Sequence, residues 1–451
     1  MKTLLTAEAL APARALLDGA DRDAARWSVL ETGARVPVHT LYGGAHLFRA
    51  DITRRVSEVA LRAMDEHLWD AAQFAHAFDL SGLPNDLVRR VHDRVREKLL
   101  RQPVEDLRVD FEDGYGVRPD EEEDRHAVAL GSELAHAMRL DTLPPWCGIR
   151  LRALVPETRA RAFRTLDLVL SSLLESSQGA LPERFLIALP KVQSPAHVAA
   201  LARALDVLER GHGLRHGALR VELMIETSPA LINARGEVSI GALLDACDGR
   251  CEAMHLGAYD LTASVGVAAS SQSLGHPLCE FARLLMQTSL AGTGVRVVDG
   301  ATTTLPVARH RATAGNTLTD DQRRENLLAM RDAWHKASDD VRRALAHGIH
   351  QGWDLHPTQL VSRSATLYVH FLGGLDESAR RLRAFISQAA QARRCGNVFD
   401  DAATAQAILG FFLRGIDCGA LREAEVAAAV GAPIEVLRTR SFPRIVGALA
   451  D

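Results

Sequence analysis

FLIALPKVQSPAHVAALARALDVLERGHGLRHGALRVELMIET, residues 185–227, holds two short apolar runs separated by a long Ala/Leu/Arg stretch. FLIALP (from 185) and VELMIE (from 221) have the length and bounded apolarity of buried strands. Between them, HVAALARALDVLERG (197–211) sets Val198, Leu201, Leu205 and Leu208 on one face of a helix. A strand, a helix and a second strand form the repeating piece of a parallel sheet. The alternation continues in both directions. Strand candidates precede this unit at VPVHTLY (36–42), LRVDFE (107–112) and GIRLRAL (from 148). Others follow at AMHLG (from 253), VRVVDG (from 295) and GWDLHP (from 352), the last being the weakest. Eight strands over about 320 residues fit an α/β fold of the (β/α)8 TIM-barrel type, which takes about 250 residues plus insertions. The rival, an open doubly wound sheet, expects G-x-G-x-x-G after its first strand, and none is present there.

Around this barrel the chain divides into an N-terminal helical extension (1–35), the barrel (36–365) and a C-terminal helical segment (366–451), read as a lid or an oligomer element. The polar stretch HRATAGNTLTDDQRRE (310–325) reads as a surface loop.

Composition narrows the function class. Lys and Arg total 53 against 57 Asp and Glu, so the clustered basic surplus of a nucleic-acid binder is missing. No run approaches 18 apolar residues, so no membrane span is expected. The N-terminal MKTLLTAEALAPARALLDGADRD reads as an amphipathic helix, since a signal peptide needs a longer apolar run. Six cysteines, unclustered apart from Cys247 and Cys251, fit a reducing, cytoplasmic setting. That pair has no second Cys/His pair at zinc spacing. Neither a G-x-S-x-G elbow nor a Walker-type glycine loop is present, which weakens serine hydrolase and P-loop nucleotide readings.

In a TIM barrel, function sits at the C-terminal ends of the strands, so polar residues there are informative. Asp110, Glu112 and Asp113 end the second strand, Arg150 and Arg152 lie on the third, and Pro190-Lys191 ends the fourth. Glu226 ends the fifth, and the sixth runs into Gly257-Ala258-Tyr259-Asp260. Glu226 and Asp260, on adjacent strand ends, form the kind of carboxylate pair that holds Mg²⁺. A nearby arginine suits a substrate carboxylate, because its planar fork grips two oxygens. Each residue also has a plainer reading. Glu226 or Asp260 can cap a helix, Asp113 can hold the turn after it, Lys191 can be a surface lysine, and Arg152 can pair with Glu112.

LRVDFEDG, GIRLRAL, LPKVQS, ELMIETSPA, HLGAYDLTASVG and GWDLHPTQ resemble, in order, the blocks of the HpcH/HpaI aldolase and citrate lyase β-subunit superfamily. That superfamily includes malyl-CoA lyases and is akin to malate synthases; the resemblance covers roughly residues 36–400. It implies a barrel with a divalent cation, Mg²⁺ or another such as Mn²⁺, held by Glu226 and Asp260. Arg150 would grip the substrate, and the acidic block Asp110, Glu112 and Asp113 would order the metal's surroundings. Cys395-Gly396-Asn397-Val398-Phe399-Asp400 resembles a C-terminal segment whose aspartate acts as acid/base, often in a neighbouring subunit. Asp400 takes that place, with Asp401 as a rival and a helix N-cap as the plain alternative. The run Tyr42-Gly43-Gly44-Ala45-His46 departs from the superfamily's proline-glycine turn, where the acid or CoA site is shaped.

The resulting expectation is a Mg²⁺-dependent carbon–carbon lyase or aldolase, acting on a hydroxy acid or its CoA thioester and forming a homo-oligomer. A malyl-CoA-like thioester hydrolase, a malate-synthase-like condensing enzyme and a catalytically silent binding barrel are the alternatives.

Overall fold

The computed structural model describes residues 5–28, 35–312, 317–394, 402–440 and 444–445. Eight parallel strands close a barrel: β1 (His39–Gly44), β2 (Asp106–Asp110), β3 (Trp146–Arg150), β4 (Phe185–Leu189), β5 (Arg220–Ile225), β6 (Cys251–Leu256), β7 (Arg296–Ala301) and β8 (Gly352–Asp354). Each pairs with the next in sequence, and β8 closes on β1. All eight strand candidates are therefore present and in order.

Boundaries differ from the sequence reading for local reasons. Gly43 and Gly44 stay in β1 and pair with Val109 and Asp110 of β2, so the strand runs later than 36–42. β2 stops at Asp110, because the Asp110 carboxylate accepts the N–H groups of Glu112 and Gly114 and turns the chain. β3 and β4 approach so closely at Gly148 that an added Cβ would lie 1.8 Å from the Leu186 carbonyl oxygen. Only glycine fits there.

The polar stretch 310–325 is not a loop throughout. Thr319 and Gln322 form a capping box that starts the helix Asp320–Ala346. The barrel interior is not apolar throughout. Asp106, Arg108, Glu222 and His255 are buried there. Arg108 donates to Glu222 (Nε, 3.0 Å) and Asp106 (Nη2, 2.8 Å), and Trp353 Nε1 donates to His255 Nδ1 (2.6 Å).

The helix after β8 runs unbroken over Gln359–Arg394, and the helices Ala402–Asp417, Glu423–Val430 and Ile434–Arg438 follow. They bury Phe371, Leu382, Leu409, Phe412 and Val426 in the main core. Arg94, on the barrel's own helix Asn85–Arg101, reaches the Ala420 carbonyl and Glu425. Among the described residues, no helix is long and apolar enough to cross a membrane.

Candidate active site at the barrel mouth

Strand register builds the site. Asp110 and Arg150 are partners at the ends of β2 and β3, and Ile225 pairs with Leu256 just before Glu226 and Gly257. The Arg150 Nε donates to Asp110 Oδ1 (2.7 Å) and Nη2 to Oδ2. Nη1 lies 3.4 Å from Glu112 Oε2 and 3.5 Å from Asp113 Oδ2. The guanidinium also sits 5.1 Å over the ring of Tyr42. Both Asp110 oxygens are thus spent on Arg150 and on the turn. Asp110, not Asp113, holds that turn, and it acts as a clamp on Arg150.

Lys191 faces the same centre. Its Nζ lies 3.1 Å from Glu112 Oε1, 3.2 Å from Asp113 Oδ1 and 3.8 Å from Asp260 Oδ1, while its backbone N–H donates to Glu226 Oε1 (2.6 Å). The plain surface-lysine reading is therefore set aside. Arg152 does not pair with Glu112. It donates to Glu123 (2.9 and 2.6 Å) and to the Gly116 carbonyl.

Neither member of the expected metal pair is a helix cap. Gly257 is the N-cap of the helix Ala258–Ser264, and Asp260 lies inside its first turn. Thr227 caps Ser228–Leu231, and its hydroxyl bonds the Val192 carbonyl (2.5 Å). Gly257 is required for another reason: a Cβ there would lie 2.3 Å from Glu226 Oε2. Its missing side chain is the space the carboxylate occupies.

The charges do not balance. Asp110, Glu112, Asp113, Glu226 and Asp260 meet two cations, Arg150 and Lys191. Burial, then the neighbouring charges of Glu112 and Asp260, push Glu226 up to about 8. Burial raises Glu112 to about 7 against the pull of Arg150, with Asp113 adding to the rise. Asp260 is raised as well, chiefly by burial. Glu112 Oε2 is buried with no hydrogen-bond partner.

Of the residues expected at strand ends, Asp110, Glu112, Asp113, Arg150, Glu226 and Asp260 converge on one mouth, whereas Arg152 does not. Asp400 and Asp401 lie outside the described residues. Lys191 enters the cluster more deeply than its sequence position suggests. Gln359 was missed as a rim residue: its side chain bonds the Leu355 N–H (2.8 Å) and the Thr302 carbonyl (2.7 Å), tying β7 to β8. The His-Pro-x-Gln match was the available signal.

Residues 17–445 match a family model described as Domain of unknown function (DUF6986). The chain belongs to this family. A search of curated proteins finds no match for this DUF6986 chain. Among solved structures it is similar to a citrate lyase from Burkholderia xenovorans LB400. The TM-score is 0.54 and the identity 17%, over 89% of this chain and 98% of that one. That likeness shows a shared fold. Two others match less well. One is malate synthase from Haloferax volcanii in a magnesium/glyoxylate complex (TM-score 0.45, 15% identity, 73% and 74% covered). The other is an HpcH/HpaI aldolase/citrate lyase family protein from Burkholderia cenocepacia J2315 (0.39, 12%, 77% and 98%).

Elsewhere in the DUF6986 chain, Asp206, Glu209 and His216 bring ligand atoms within 4.8 Å of one another. Arg250 already fills that cluster, donating to Glu209 (2.6 and 2.8 Å) and Asp206 (2.5 Å). A guanidinium satisfies those carboxylates, so the trio is structural.

Proposed function

We propose that this barrel is a divalent-metal-dependent carbon–carbon lyase of the aldolase type. Its substrate would be a hydroxy carboxylic acid or the CoA thioester of one. The observation that carries this reading is the surplus of carboxylate at the mouth, where Asp110, Glu112 and Glu226 are buried and Asp113 and Asp260 open to solvent. Carboxylates crowded enough for Glu226 to reach about 8 fit the oxygen donor set that Mg²⁺ or Mn²⁺ takes. Glu226 and Asp260 would hold the cation, with Glu112 beside them. The cation would supply Lewis-acid stabilisation of negative charge developing on substrate oxygens.

The chain's own residues do the rest. Arg150, held by Asp110, presents Nη1 to a substrate carboxylate and fixes its orientation. Tyr42 closes the floor beneath that guanidinium and keeps water away from it. Cleavage breaks the bond beside the hydroxyl-bearing carbon. The hydroxyl proton leaves as the carbonyl forms, and the bonding pair passes to the other fragment as an enolate, which then takes up a proton.

Asp400 is proposed as the proton carrier, from a second copy of the chain. Helix Ala402–Asp417 runs antiparallel to Gln359–Arg394: Phe411 lies against Gly374, and Gly415 against Phe371. Extending that register places Ala402 beside a residue near 383. At 1.5 Å per residue, that is about 35 Å along the long helix from its start at the mouth. A homo-oligomer would bring the segment to a neighbour's mouth.

Incubating the protein with Mg²⁺ and 2-hydroxy acids, with and without CoA esters, tests the activity. Release of a 2-oxo acid or glyoxylate that stops with chelator is the expected result. Thioester hydrolysis without carbon–carbon cleavage would replace the lyase reading with the hydrolase.

A further inference from the structure

Lys191 is held in an unusual place by an unusual backbone. It has φ +49°, in the left-handed region that L-residues adopt only where their surroundings hold them. In that conformation one residue addresses the proposed cation ligands with two different groups. Its N–H fixes Glu226 Oε1, and its ammonium lies among Glu112, Asp113 and Asp260.

We infer that Lys191 is a built-in counter-ion that occupies the carboxylate cluster until a divalent cation displaces it. This rests on the metal reading above. A +2 ion and an ammonium within about 4 Å repel strongly even at an effective dielectric constant of about 20. One must leave, and Lys191 is the one built to do so. Its compact charge rides on a flexible four-carbon stem, and its side chain is 30% exposed, giving it a route to solvent. Arg150 has no such route: its side chain is 7% exposed and pinned by both oxygens of Asp110. The two cations therefore divide the work. Arg150 is permanent, and Lys191 is exchangeable. In the metal-free protein the lysine offsets carboxylate repulsion, and its departure is part of what any metal must overcome, so Lys191 sets the metal concentration at which the site loads.

Free Mn²⁺ measured by electron paramagnetic resonance, on the full chain without substrate, tests this. Lys191→Met should bind Mn²⁺ about tenfold more tightly than wild type, because the competing charge is gone. Lys191→Arg keeps the charge and should bind within about threefold of wild type, or more weakly. The metal-free Lys191→Met protein should also melt below metal-free wild type, and Mn²⁺ should restore it. Equal or weaker Mn²⁺ binding by Lys191→Met overturns the inference while leaving the metal reading intact. Tightening by both variants overturns it too, since shape rather than charge would then matter. If neither wild type nor Lys191→Met binds Mn²⁺ at millimolar concentration, the metal reading falls, and the inference with it. Binding by Lys191→Met alone supports both.

Discussion

Two clusters of charge sit on the same barrel axis, one inside the barrel and one at its mouth, and they are built on opposite terms. Inside, Asp106 and Glu222 share Arg108, with the Arg296 guanidinium 3.8 Å from Glu222. Two carboxylates face two guanidiniums. Burial pushes both carboxyls up; Arg108 and His255 more than offset it at Glu222, which is held well below the usual range, while Asp106 stays raised. At the mouth five carboxylates face two cations, and burial there raises Glu226, Glu112 and Asp260 without full compensation. Under the metal reading proposed above, the interior cluster is part of the fold and the carboxylate-rich mouth is the cation site. In the Asp206–Glu209–Arg250 cluster the carboxylate oxygens are taken up by Arg250 and by the N–H groups of Gly217 and Leu219. Tyr42 joins the two levels: its ring lies under Arg150 and 5.0 Å from Trp353, whose indole N–H holds His255.

The sharpest way to break this contrast is to neutralise one member of each cluster. Glu226→Gln or Asp260→Asn should abolish divalent-cation binding and turnover while the barrel stays folded, checked by calorimetric titration and circular dichroism. Unchanged affinity in both variants would remove the pair from the metal site. Arg108→Met should do the reverse. It strands Asp106 and Glu222 in the barrel interior, at a loss of about 3–5 kcal/mol in denaturant unfolding. Any protein that still folds should bind Mg²⁺ as wild type does.

Arg150 sharpens the contrast from the cation side. Lysine cannot reproduce the two-point contact with Asp110. Arg150→Lys should therefore lose most activity with metal affinity little changed. Arg152→Lys, whose partner is Glu123, should keep activity and lose about 1 kcal/mol of stability. Equal activity losses in the two variants would mean the substrate clamp lies elsewhere.

A pH series gives the smallest effect. Glu226 titrates near 8 when folded and near 4.5 when unfolded. Between those values the native state keeps a proton that the unfolded chain has lost, so metal-free stability falls as pH rises. Glu226→Gln lacks that loss. Its free energy of unfolding should gain on that of wild type as pH goes from 5 to 8, by on the order of 3 kcal/mol. Saturating Mg²⁺ should erase the wild-type decline. A constant difference across the range would show that Glu226 is not strained.

The sequence carried much of this, unevenly. Strand order was readable because each strand of a closed parallel barrel is buried on both faces and so appears as a short apolar run. Polar residues at the ends of such runs stood out, which is why Asp110, Arg150, Glu226 and Asp260 could be named. What stayed hidden is pairing. Nothing local tells that Asp110 spends both oxygens on Arg150 and its own turn, or that Arg152 turns outward to Glu123. Arg108, Glu222 and His255 sit mid-strand, where period and composition give no hint of their partners on distant strands. The helix Asp320–Ala346 was half missed because its first two turns are polar all round, so its start is marked by the Thr319 capping box and not by periodicity.

The most direct measurement is a crystal soaked in Mn²⁺ and read by anomalous scattering. A single strong peak is expected at the mouth, about 2.1 Å from carboxylate oxygens of Glu226 and Asp260, with the Lys191 ammonium moved away. A peak at Asp206, Glu209 and His216, or none at saturating Mn²⁺, would contradict the assignment of the mouth as a metal site.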